Sequence, residues 1–81
     1  MDRRIAILGI IVEDMDRVKR VNDLLHEYRE YIVGRMGMPY RERGVSVISV
    51  VMDADTNTVS ALSGKLGMTP GVSAKAVYSK T

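Results

Sequence analysis

From Arg4 to Val12 the chain is almost continuously apolar and is bounded by charge, the pattern of a short strand buried on both faces. Asp14 can cap the next element. Met15, Val18, Val21, Leu25 and Tyr28 then recur at spacings of three and four, with Arg17, Lys19, Arg20, Asp23 and Glu27 on other faces, which predicts a helix over about 15–29. From Tyr31 to Arg41 the pattern alternates, placing Ile32, Met36, Met38 and Tyr40 on one side and Val33, Arg35 and Pro39 on the other. Pro39 cannot donate to a ladder, so this second strand belongs at a sheet edge.

Arg41-Glu42-Arg43-Gly44 reads as a hairpin turn, and Val45 to Met52 form a third strand that is again apolar in both alternating sets. Asp53, Asp55 and Thr56 are competing caps for a second helix with Val59, Leu62 and Leu66 as its stripe, and Gly67 followed by Pro70 stops it. Val72 to Tyr78 make a last strand with Val72, Ala74, Ala76 and Tyr78 inward and Ser73, Lys75 and Ser79 outward. The order is βαββαβ. Two interlocked right-handed βαβ units then give an α+β, ferredoxin-like fold, an antiparallel four-stranded sheet of order 4-1-3-2 with both helices on one face.

That arrangement leaves one sheet face without a helical cover. In the first strand one alternating set is Ile5, Ile7, Gly9 and Ile11 and the other Ala6, Leu8, Ile10 and Val12; the third strand offers Val45, Val47 and Val51 against Ile48, Val50 and Met52. Whichever set meets the helices, the other leaves large aliphatics facing water, a patch larger than soluble monomers usually carry. The expected cover is a second copy of the same sheet, in a dimer or in two pairs forming a tetramer.

Composition narrows the chemistry. At 81 residues the chain makes a single domain, 1–81, which buries only about 60% of the surface of its unfolded form. It has no Phe or Trp, so small aliphatics, Met and four Tyr supply the packing. The absence of cysteine excludes disulfides, thiolate metal sites and a cysteine nucleophile. The opening Met1-Asp2-Arg3-Arg4 and the apolar run after it lack the small residues of a signal-peptide cleavage site, because Glu13-Asp14 follows. No stretch approaches the roughly 18 apolar residues of a membrane helix, so the expectation is a cytoplasmic protein with no membrane partner.

A net charge of +2 is not the profile of a polyanion binder. RNA-recognition domains of the same strand order stack bases on aromatics from the two central strands, and neither strand here has one, so nucleic acid is not an expected partner of this chain alone. Ser63-Gly64-Lys65-Leu66-Gly67 fails as a phosphate loop, with Val59 where the first glycine is required and Leu66 where a Ser or Thr must reach the metal. His26, the single histidine, has Asp23, Glu27 and Glu30 within three or four residues, a spacing that could serve an oxygen-rich metal site or one shared between subunits; the plainer reading is a solvated helix face. With one histidine, no cysteine and no opposed carboxylate pair, no catalytic arrangement emerges, and the expectation is a protein that is not an enzyme. Gly34 and Gly37 would let a ligand or another backbone approach the second strand, or mark a bulge in it.

The stretch Val21-Asn22-Asp23-Leu24-Leu25-His26-Glu27-Tyr28, continuing to Gly34-Arg35-Met36-Gly37-Met38-Pro39-Tyr40-Arg41, resembles the small bacterial family named as iron-only hydrogenase system regulators. Ala61-Leu62-Ser63-Gly64-Lys65-Leu66-Gly67, with Pro70-Gly71-Val72 beyond it, is similar to the same family, so the resemblance covers nearly the whole chain. It implies an ACT-like domain akin to the ligand-binding C-terminal domain of the nickel-responsive repressor, encoded near maturation genes for iron-only hydrogenase. That repressor's nickel site uses several histidines and a cysteine, of which this sequence offers His26 alone. Amino-acid-binding ACT domains typically have glycine after the first strand, where Glu13-Asp14-Met15-Asp16 stands here.

The combined expectation is a non-catalytic regulatory or sensor domain acting as a homo-oligomer. A small effector would sit at the subunit interface, among Ile5, Ile7, Ile11, Gly34, Met36, Gly37, Val47 and Val51. The alternative is a structural adaptor for a hydrogenase-maturation protein, with no ligand. No pattern names a cofactor.

Overall fold

Strand β1 (Arg4–Val12) alternates between buried and exposed along its whole length, which decides the face left open by the sequence: Ala6, Leu8, Ile10 and Val12 point to the helices and Ile5, Ile7, Gly9 and Ile11 away. The computed structural model describes residues 3–80; Met1, Asp2 and Thr81, the outermost positions of the expected 1–81 domain, lie outside them. The chain continues through α1 (Val18–Glu27), β2 (Ile32–Tyr40), β3 (Val45–Ala54), α2 (Thr56–Gly67) and β4 (Val72–Tyr78). All pairings are antiparallel and the sheet order is β2-β3-β1-β4, the order expected of a ferredoxin-like α+β domain.

The first helix differs from the single helix expected over about 15–29. Residues Met15–Arg17 form a 3-10 turn, α1 proper follows, and a second 3-10 turn spans Arg29–Tyr31. The Asp14 carboxylate accepts the Asp16 N–H, and Arg17 N–H donates to the Asp14 carbonyl at 2.9 Å, a three-residue closure that winds the first turn tightly. At the other end Tyr28 N–H is shared between the Leu24 and Leu25 carbonyls. Met15, expected in the buried stripe, is about half exposed because it lies in the tight turn; Val21, Leu24 and Leu25 carry the burial instead.

Of the three candidate caps for α2, Asp55 holds the N-cap position, and its carboxylate accepts the Thr58 hydroxyl. The helix ends at Gly67, and Thr69 closes it by donating its hydroxyl to the Lys65 carbonyl at 3.0 Å. β3 runs two residues further than expected, to Ala54, because its pairing with β1 continues through Ile5↔Asp53 and Arg4↔Ala54. The core lies between the helices and one sheet face: Leu8, Ile10, Val50 and Met52 meet Val21, Leu24, Leu25, Val59, Leu62 and Leu66.

Two glycines take the left-handed conformation. Gly71, at φ +75°, accepts the Glu13 N–H at 2.7 Å, and a Cβ there would lie 2.5 Å from that of Asp14, so this crossing of chain segments admits no side chain. Gly44, at φ +65°, ends the short 3-10 turn Arg41–Arg43 between β2 and β3, with open space around it. Gly44→Ala is therefore expected to cost about 1 kcal/mol from conformation alone, with sheet geometry unchanged, measurable as a lower urea midpoint at constant slope.

Candidate functional site

The site is built on the sheet face that the helices leave open. Cross-strand partners share a face, so the registers line the side chains up in rows. One row is Gly34, Val51, Ile7 and Val77; the next Met36, Ser49, Gly9 and Lys75; the next Met38, Val47, Ile11 and Ser73. Tyr40 and Val45 border it at one end, Ile5 and Asp53 at the other. Eight large apolar side chains on this face, Ile5, Ile7, Ile11, Met36, Met38, Tyr40, Val47 and Val77, are between 36% and 72% exposed in the isolated chain. Together they present on the order of 700 Å², above the roughly 300–600 Å² of the largest patch on a typical monomer.

β2 does not keep the strict alternation expected of it. Ile32 pairs with Met52 while Gly34 already pairs with Val51, so Val33 is an extra residue in a bulge. The bulge reverses the phase: Ile32 turns toward the core, and Gly34, Met36, Met38 and Tyr40 turn to the open face. Ile32, expected beside Met36, is therefore on the opposite side. Gly37 likewise pairs with the buried Ile48 and belongs to the helix side, so the structure brings Gly34, Met36, Ile5, Ile7, Ile11, Val47 and Val51 to one surface but leaves Gly37 off it. Arg35 and Pro39 share Gly37's side, whereas Ser73 and Lys75 of the other edge strand face the open side.

Two shallow hollows mark this face. One, of about 470 Å³, lies over Gly9, Ile11, Val47, Ser73 and Lys75; the other, of about 350 Å³, shares Ile11, Val47 and Ser73 and extends to Tyr40, Arg43 and Glu13. Reading the sequence alone missed Lys75 and Gly9 as site residues. The signal was present in β4 as the one charge between Ser73 and Val77, but register with Gly9 is a tertiary fact.

His26 lies elsewhere, near the C-terminal end of α1 on the helix side, in a hollow of about 310 Å³ with Asn22, Arg29, Ile32 and Arg35. Arg35 donates to Asn22 Oδ1 at 3.0 Å, tying the β2 edge to α1, and Arg29 donates to the His26 carbonyl. The carboxylates nearest in sequence are engaged with lysines, Asp23 with Lys19 and Glu27 with Lys65. Among the described residues no three His, Asp or Glu side chains gather as a metal site. Lys65 also lies 5.0 Å from the Tyr28 ring centre, and interaction with the Tyr28 side chain, then with Glu27, holds its ammonium above the ordinary lysine value.

Among the described residues no helix is long and apolar enough to cross a membrane. Residues 4–76 match the model of the TM1266-like family, whose description reads "Iron-only hydrogenase system regulator, putative". The solved structure of protein TM1266 from Thermotoga maritima is 45% identical, covers 98% of this chain and 100% of its own, and superposes with a TM-score of 0.92. No curated protein matches. The sheet and its two helices therefore have the fold of that solved structure, and the chain belongs to the TM1266-like family.

Proposed function

We propose that this chain is a non-catalytic regulatory domain of the iron-only hydrogenase system, working as a homo-oligomer whose sheets stack through their open faces and hold a small effector between them. The observation that carries this reading is the eight-residue apolar surface on the open face. Its area is close to the roughly 800 Å² per partner of a standard stable interface, so one second copy suffices to cover it. A two-fold stack is self-complementary, and its central rows would bury Ile7, Ile11 and Val47 against their counterparts. Polar groups gather at the ends of the face, where Asp53 pairs with Arg3 at 3.4 Å and Glu13 and Arg43 flank Tyr40, the apolar centre and charged rim of an interface.

An effector held in such a seam contacts both subunits, so its binding shifts the balance between assembly states or between two arrangements of one assembly. Sedimentation velocity at micromolar concentration is expected to show a dimer or tetramer; a folded monomer under those conditions would overturn the assembly reading. The regulatory reading is checked in cells lacking the gene, where the wild-type chain, and not an assembly-deficient variant, restores the normal level of hydrogenase activity.

A further inference from the structure

The geometry points to a binding site for a small organic anion with an apolar body, held between stacked sheets in the hollow that Gly9 floors and Lys75 flanks. This rests on the stacked assembly proposed above and adds to it the chemistry of the ligand. Two independent features carry it.

The first is Gly9. It occupies the middle of the central strand β1, where glycine weakens a sheet relative to any residue with a side chain. The fold does not require it there. A Cβ at Gly9 would meet only the Lys75 carbonyl oxygen, at 3.8 Å, an ordinary contact, and the residue has no positive φ. Glycine in a strand without a steric need of its own marks a place where something outside the chain comes close to the backbone.

The second is Lys75, the register partner of Gly9. It is the one charged side chain in the three central rows of the open face, and it makes no ion pair or hydrogen bond with any described residue. Lys75 stands on the edge strand β4, so a second sheet stacked about 10 Å away leaves its ammonium at the border of the seam, where an anionic head is its fitting partner. Its companions in the hollow are the hydroxyl of Ser73 and the aliphatic walls of Ile11 and Val47. A cation, a hydroxyl and an apolar wall around the notch at Gly9 match an anionic head on an apolar body. The hollow's 470 Å³ falls within the range of roughly 300–1,000 Å³ typical of small-molecule sites.

The test uses the full chain with hexanoate, octanoate and phenylacetate, each beside its neutral amide, in thermal shift and titration calorimetry, with sedimentation velocity on the same samples. A carboxylate is expected to raise Tm by several degrees while its amide does not. Lys75→Met is expected to weaken carboxylate binding about 10- to 100-fold, the loss of one charge-assisted hydrogen bond. Gly9→Val, which fills the notch, is expected to abolish binding while the sheet stays folded, since a Cβ at Gly9 meets only the Lys75 carbonyl oxygen at 3.8 Å. No carboxylate effect on an intact assembly, or an effect that survives Lys75→Met, overturns the site. Lys75→Met that breaks the assembly, with no carboxylate effect, assigns the ammonium to a carboxylate of the second copy and also overturns it. A monomer that still binds carboxylate through Lys75 keeps the site and overturns the stacking, so the two proposals fail separately.

Discussion

Ile11→Glu is expected to turn the proposed assembly into a folded monomer of about 9 kDa by sedimentation velocity. Ile11 sits in a central row of the open face between Val47 and Ser73, and it is 44% exposed in the isolated chain, so a glutamate there can remain hydrated in a monomer. In a two-fold stack each copy would bring one carboxylate into the dry centre of the interface. At several kcal/mol per desolvated ion, two such charges raise the dissociation constant by about four orders of magnitude. The monomer itself should lose no more than about 1 kcal/mol, the span of strand propensities. Met68→Glu, on a side chain 86% exposed beyond the end of α2, is the matched control and should leave assembly unchanged. An Ile11→Glu protein that sediments like wild type would remove the open face from the interface.

Leu8→Ala should produce the largest loss of fold stability. Leu8 is fully buried, lies on the central strand, and has Val50 and Ala76 as its cross-strand partners. Truncating such a side chain costs about 2–5 kcal/mol, transfer and cavity terms together, against a total of roughly 5–15 kcal/mol for a domain. For a chain of this size that corresponds to a fall in Tm of about 10–30 °C. The measurement is urea unfolding at fixed protein concentration, since mass action from assembly adds to apparent stability. Ile7→Ala, one residue away on the opposite face, is the informative contrast: it should cost little in a monomeric background and weaken association in the wild-type one. A Leu8→Ala loss below about 1 kcal/mol would contradict the placement of the core.

Much of this architecture was legible in the amino-acid pattern because strand and helix periods are local. Alternation in β4, the threefold and fourfold spacing in α1, the Gly67 stop and the doubly apolar central strands each follow from residues within one element, and chain order with right-handed crossovers leaves one common topology for them. That one apolar set of β1 and β3 stays outside the helical layer was also readable, since both alternating sets are apolar and helices can hide only one.

Three-dimensional structure decided what periodicity cannot carry. Which set of β1 faces outward depends on the helices docking against Leu8 and Ile10, and either choice satisfies the local pattern. The phase of β2 depends on the bulge at Val33, set by pairing with β3, so Ile32 joined the core and Gly37 left the open face although neither change is written in β2 alone. The meeting of Gly9 with Lys75, 66 positions apart in sequence, exists only through the register of β1 with β4. Sequence determines such pairings through the energy of the whole packed sheet, and a charge comes to lie beside a missing side chain only after that sheet has formed.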